Sequence, residues 1–96
     1  MYTVDEIKRI VSPIAARYGV ERMYLFGSYA RGEQTESSDV DLRIDRGSVR
    51  GLQMAALWAD LEDALALPLD LVSTPALRPG FLDRIRKDEV LLYERS

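Results

Sequence analysis

Histidine and cysteine are both absent from the 96-residue chain. Without imidazole or thiol there can be no Ser/His/Asp triad, no Cys/His pair, no zinc site of the usual kind and no disulfide framework. No apolar run approaches the roughly 20 residues needed to cross a bilayer, and the N-terminus MYTVDEIKRI lacks a signal-peptide core. A cytoplasmic location with no membrane association is therefore expected. Positive charge is also scarce: 13 Lys and Arg stand against 16 Asp and Glu, a net charge of −3. That balance argues against direct nucleic-acid binding. What remains for chemistry is carboxylate, hydroxyl, amine and backbone, and the metals these suit are hard, oxygen-loving cations such as magnesium.

The length fits one small domain over residues 1–96, with no room for a separate substrate domain. Thr3 and Glu6 form a capping box, and Val4, Ile7, Val11, Ile14 and Tyr18 recur at helical spacing before Gly19. This predicts a helix over 3–18, kinked or split near Ser12 by Pro13. Met23–Phe26 is a short apolar run suited to a buried strand, and a brief helix follows from Ser28 toward Arg31. Residues 39–44 alternate strictly, with Val40, Leu42 and Ile44 on one face and Asp39, Asp41 and Arg43 on the other. A long amphipathic helix is expected over 50–65, its stripe formed by Met54, Leu57, Trp58, Leu61 and Leu65, with Trp58 in the core. A strand over 69–72, a loop over 74–79, a short helix around Phe81–Ile85 and a strand or tail over 90–93 complete the order. The fold class is α+β with mixed α/β character: a three- to four-stranded mixed sheet packed with three to four helices.

Three features carry chemistry. Gly27-Ser28 stands where a strand meets a helix, a place where close backbone approach and unpaired N–H groups favour phosphate. Asp39-Val40-Asp41 puts two carboxylates on one strand face roughly 7 Å apart, where they repel unless a cation lies between them. Asp70 is a lone acid between Leu69 and Leu71, where an unpaired buried charge would be costly. Arg31 lies one turn beyond Ser28, within reach of a phosphate or a partner. Arg43 shares the face of the two acids and is expected to offset their repulsion. Arg84, Arg86 and Lys87 alternate with Asp83, Asp88 and Glu89 and read as a solvated helix face.

Gly27-Ser28, ten intervening residues and then Asp39-x-Asp41 resemble the signature of the DNA polymerase β-like nucleotidyltransferases. The stretch LFGSYARGEQTESSDVDL is similar to the core of their smallest branch, the minimal nucleotidyltransferase (MNT) domains, and the likeness extends to the acid in PLDLV. The resemblance implies that Asp39, Asp41 and Asp70 are catalytic acids that hold two magnesium ions. It further implies that Gly27 and Ser28, with Arg31, bind the phosphates of ATP. It also implies an antitoxin that transfers AMP to a tyrosine of a HEPN-type toxin RNase. The alternatives are a binding module that neutralises its partner without catalysis, or a nucleotidyltransferase acting on a small molecule or RNA.

Overall fold

The computed structural model describes residues 1–96. Helix α1 (Val4–Tyr18) begins at the expected capping box: the Thr3 hydroxyl accepts from the Glu6 N–H, and the Glu6 carboxylate accepts from the Thr3 N–H. It ends at Gly19, whose left-handed conformation lets its N–H close on the carbonyls of Ala15 and Ala16. The helix runs unbroken through Pro13, where the sequence predicted a kink or a split. The carbonyl that loses its partner belongs to Arg9, and both Arg9 and Pro13 are exposed, so water can replace the missing bond.

Strand β1 (Arg22–Phe26) leads directly into the five-residue helix α2 (Gly27–Arg31). Strand β2 (Val40–Asp45), helix α3 (Leu52–Leu65) and strand β3 (Leu69–Ser73) follow. A 3-10 turn at Thr74–Ala76 occupies the expected loop, and helix α4 (Pro79–Arg86) and strand β4 (Val90–Glu94) close the chain. The four strands form one mixed sheet in the order β3-β2-β1-β4. β1 pairs antiparallel with β2 and β4, and β2 pairs parallel with β3.

Register assigns the two faces. Met23 lies opposite Ile44, and Leu25 opposite Leu42, while Leu42 neighbours Leu71 and Val40 neighbours Leu69. All of these side chains are buried under α1 and α3, with Ile7, Val11, Ile14, Leu57, Leu61 and Leu65 filling the interior. Polar ties at the margin join the two helices: Tyr2 Oη donates to the Leu65 carbonyl at 2.7 Å, and the Tyr18 hydroxyl donates to Asp60. Trp58, expected in the core, is instead 36% exposed at the rim of α3. Leu57, Leu61 and Leu65 define the buried line of the helix, and position 58 falls about 100° away from position 57.

The opposite face carries Tyr24, Phe26, Asp41, Arg43, Asp70 and Val72. Its cover is thin. α4 has no buried residue and touches the sheet through an edge-to-face pair, Phe81 on Phe26, with ring centroids 6.2 Å apart. No helix is long and apolar enough to cross a membrane.

Candidate active site

Two of the three sequence-predicted acids stand side by side at one end of the second face, and the third is near enough for its charge to act on Asp41. Asp41 and Asp70 are register partners on the parallel strands β2 and β3, a spacing of about 4.8 Å between backbones. Asp39 sits just ahead of β2, delivered by a Thr35–Ser38 turn in which the Ser38 N–H donates to the Thr35 carbonyl and the Ser38 hydroxyl accepts from the Thr35 N–H. The Val40 N–H then donates to the Pro68 carbonyl at 3.1 Å, tying the entrances of the two acid-bearing strands together.

Asp39 and Asp70 are exposed and Asp41 is half-buried. The expected cost of burying Asp70 is therefore not incurred, because β3 is the edge strand and this side chain faces water. None of the chain's ion pairs includes any of the three. The Asp41 carboxyl is pushed up to about 6 by burial first, then by the charges of Asp70 and Asp39, with Arg31 opposing.

Gly27 closes the site from the other side. Phe26 is the register partner of Asp41, so the chain turns into α2 directly beside that carboxylate. Gly27 has φ +73, and a Cβ there would collide with Asp41 Oδ2. The positive φ favours glycine, and the absence of a Cβ lets the Asp41 carboxylate lie against the backbone at this turn. Ser28 follows in the first turn, and Arg31 in the last. The Arg31 guanidinium is held by Glu33 at 2.7 Å; that bond raises its pKa, and Asp88 and Asp41 add to the effect from farther away.

Arg43 does not offset the acids. It is 2% exposed, with Nε and Nη2 donating to both oxygens of Glu89 at 3.0 and 2.7 Å, Nη1 donating to Thr74 Oγ1 at 2.7 Å and the guanidinium lying 4.0 Å from the Tyr24 ring. Burial works to lower its pKa, but the Glu89 hydrogen bonds and the charges of Glu89 and Asp45 outweigh that and raise it. Its charge is spent on the loop before β4 and the turn after β3. The partners Glu89 and Thr74 lie 46 and 31 residues away in sequence, so no local pattern announces them.

Arg84 also departs from expectation in part. It is exposed, as are Arg86 and Lys87, yet it lines a cleft of about 350 Å³ that opens at Gly27 between α2 and α4. Helical spacing places it on the same side as Phe81 and Ile85, which the charge pattern alone does not single out.

The donor set suits a hard divalent cation: oxygen only, neighbouring negative charges and no ion pair to any of the three acids. No three acidic side chains yet stand at metal-holding spacing. Asp39 and Asp70 are in solvent, so their side chains are free to change rotamer beside Asp41.

The model of the polymerase β nucleotidyltransferase family matches residues 8–96. A protein of Methanocaldococcus jannaschii named as a candidate protein adenylyltransferase is 38% identical over 88 residues, covering 91% of this chain and 95% of its own. The protein adenylyltransferase MntA of Thermococcus cleftensis is 35% identical over 95 residues, covering 94% and 96%. Among solved structures, the complex of a tri-AMPylated Shewanella oneidensis HEPN toxin with its MNT antitoxin superposes with a TM-score of 0.73 at 17% identity, covering 97% of this chain and 74% of that one. The four-stranded sheet and four helices are those of the small polymerase β-like fold, and the chain belongs to the polymerase β nucleotidyltransferase family.

Proposed function

We propose that the chain transfers AMP from ATP to a tyrosine hydroxyl of a HEPN-type toxin and thereby acts as its antitoxin. The observation that carries the chemistry is the pairing of Asp41 with Asp70 on adjacent strands, with Gly27 set against the Asp41 carboxylate. Support for the protein acceptor comes from relatives named as adenylyltransferases and from the fold shared with an MNT antitoxin bound to an AMPylated HEPN toxin. The thinly covered face beside these acids leaves room for an acceptor side chain to reach them.

Asp39, Asp41 and Asp70 would hold two magnesium ions. The chemistry such ions supply when bound is neutralisation of phosphate charge and polarisation of the α-phosphoryl oxygen. Gly27 admits the phosphates to the backbone, the Ser28 hydroxyl donates to a phosphate oxygen, and Arg31 exchanges Glu33 for phosphate. The tyrosine oxygen attacks the α-phosphorus in line. The bond from that phosphorus to the oxygen bridging to the β-phosphate breaks, and pyrophosphate leaves. Asp70, exposed at the open edge of the sheet, accepts the hydroxyl proton and releases it to water.

Incubation with ATP labelled at the α-phosphate, magnesium and the HEPN protein tests this. Label is expected on the toxin tyrosine and its RNase activity is expected to fall. Unlabelled toxin that is nonetheless silenced, with Asp39→Asn/Asp41→Asn silencing it equally well, overturns transfer in favour of neutralisation by binding. Label on RNA or a small molecule overturns the protein acceptor.

A further inference from the structure

The cleft between α2 and α4 begins where the acids end. Gly27 forms its inner lip, Arg31 comes from α2, and Phe81, Arg84 and Asp88 come from α4 and the turn after it. Arg31 lines the cleft and feels the charges of both Asp88 and Asp41. Arg84 differs from Arg31 in having no carboxylate partner, although Asp83 and Asp88 lie close in sequence. Its guanidinium is 5.7 Å from the Phe81 ring, and Phe81 is braced edge-on by Phe26. An arginine resting on an aromatic face keeps its hydrogen-bond donors available for an anion.

We propose that Arg84 and Arg31 form a two-arginine clamp for the β- and γ-phosphates, making this cleft the seat of the leaving pyrophosphate. The inference rests on the nucleotidyl-transfer reading and adds to it a residue on α4. With the α-phosphate beside Asp41, the rest of the triphosphate must run away from the acids, and the cleft at Gly27 offers two cations along that path. Planar guanidinium groups match phosphate oxygens in pairs. The clamp also gives the thinly packed α4 a role: it supplies one jaw.

Calorimetric titration of the intact chain with a non-hydrolysable ATP analogue, with pyrophosphate and with AMP, all in magnesium, tests the clamp. Arg84→Ala is expected to weaken the ATP analogue and pyrophosphate about 10-fold while AMP changes less than about 2-fold. Arg84→Lys is expected to recover part of the loss, and Arg86→Ala to behave as wild type. Unchanged binding of the analogue and pyrophosphate by Arg84→Ala, or an equal loss for all three ligands, overturns the clamp. Unchanged nucleotide binding together with lost labelling of the toxin also overturns it and assigns Arg84 to the acceptor protein. Failure of the wild type itself to bind the ATP analogue overturns the nucleotidyl-transfer reading instead.

Discussion

The two faces of the sheet are built from the same strands and have opposite characters. On the α1/α3 face every inward strand residue from Met23 to Leu71 is apolar and buried, and two helices of 15 and 14 residues cover it. The α4 face alternates with it residue by residue and carries Asp41, Arg43 and Asp70 under an eight-residue helix that buries nothing. A period of two lets one strand serve both ends: Leu42 anchors the fold on one face while its neighbour Asp41 faces the chemistry on the other. Apolar packing is concentrated on one face, while the other holds repelling charges, the buried Arg43–Glu89 pair and an open cleft.

The sharpest break of this comparison is chemical. Asp41→Asn changes one oxygen for nitrogen on the α4 face and leaves the apolar face untouched. Transfer of labelled AMP is expected to fall about 1000-fold or more, roughly 4 kcal/mol in the barrier, with the melting temperature of the ligand-free protein unchanged or higher. A variant that melts early and retains transfer would erase the division between the faces.

Next in size are substitutions that probe what each face contributes to folding. Leu61→Ala leaves a cavity between α1, α3 and the sheet and is expected to cost about 3 kcal/mol, visible as a drop of roughly 15 °C in melting temperature. Arg43→Met is expected to cost a similar amount by a different route. It leaves the Glu89 carboxylate, whose side chain is only 10% exposed, without its cation. Adding Glu89→Leu to Arg43→Met is expected to restore most of the loss, because a matched apolar pair replaces a matched ionic one. Urea denaturation of the single and double variants checks both; a double variant no more stable than Arg43→Met would mean that Thr74 and Tyr24, rather than Glu89, carry the network.

A smaller effect follows from pH. The Asp41 pKa rises from 3.8 to about 6 in the fold, so the folded state binds more protons than the unfolded state between those values. Its contribution to stability is therefore full below pH 3.8 and is lost as pH climbs through 6. The half-buried side chain is partly screened by solvent, which leaves about 1 kcal/mol to observe. In metal-free buffer the wild type is expected to lose more stability between pH 4.5 and 7 than Asp41→Asn does. Parallel curves would show that the acids do not strain the apo fold.

How far the sequence reveals this division depends on the distance over which each feature is specified. The capping box, the alternation in β2 and the Gly27-Ser28 junction are local, and each stands where its pattern places it. The pairing of Asp41 with Asp70 is partly legible, since parallel strands flanking a helix are a common arrangement, although only the register puts the two acids side by side. The Arg43 network is illegible because its partners arrive through three separate segments. Pro13 is judged by residue type and Trp58 by a stripe drawn wider than the buried line of Leu57, Leu61 and Leu65, whereas exposure on the helix surface decides both outcomes.

The smallest expected effect lies where the apolar face hands over to the other. Ala66 ends α3 with φ +55, its N–H donating to the Glu62 carbonyl, and the chain then enters β3 and reaches Asp70 four residues later. A left-handed conformation costs an L-residue roughly 1–2 kcal/mol, and glycine avoids that cost while giving back part of the gain through a more flexible unfolded chain. Ala66→Gly is expected to stabilise the protein by about 0.5–1 kcal/mol, an increase of a few degrees in melting temperature. AMP transfer is expected to stay within about 2-fold, because β3 is positioned by its register with β2 rather than by the cap. Higher stability with diminished transfer would instead make the strained turn part of what sets Asp70 beside Asp41, so that the two faces are coupled at that residue.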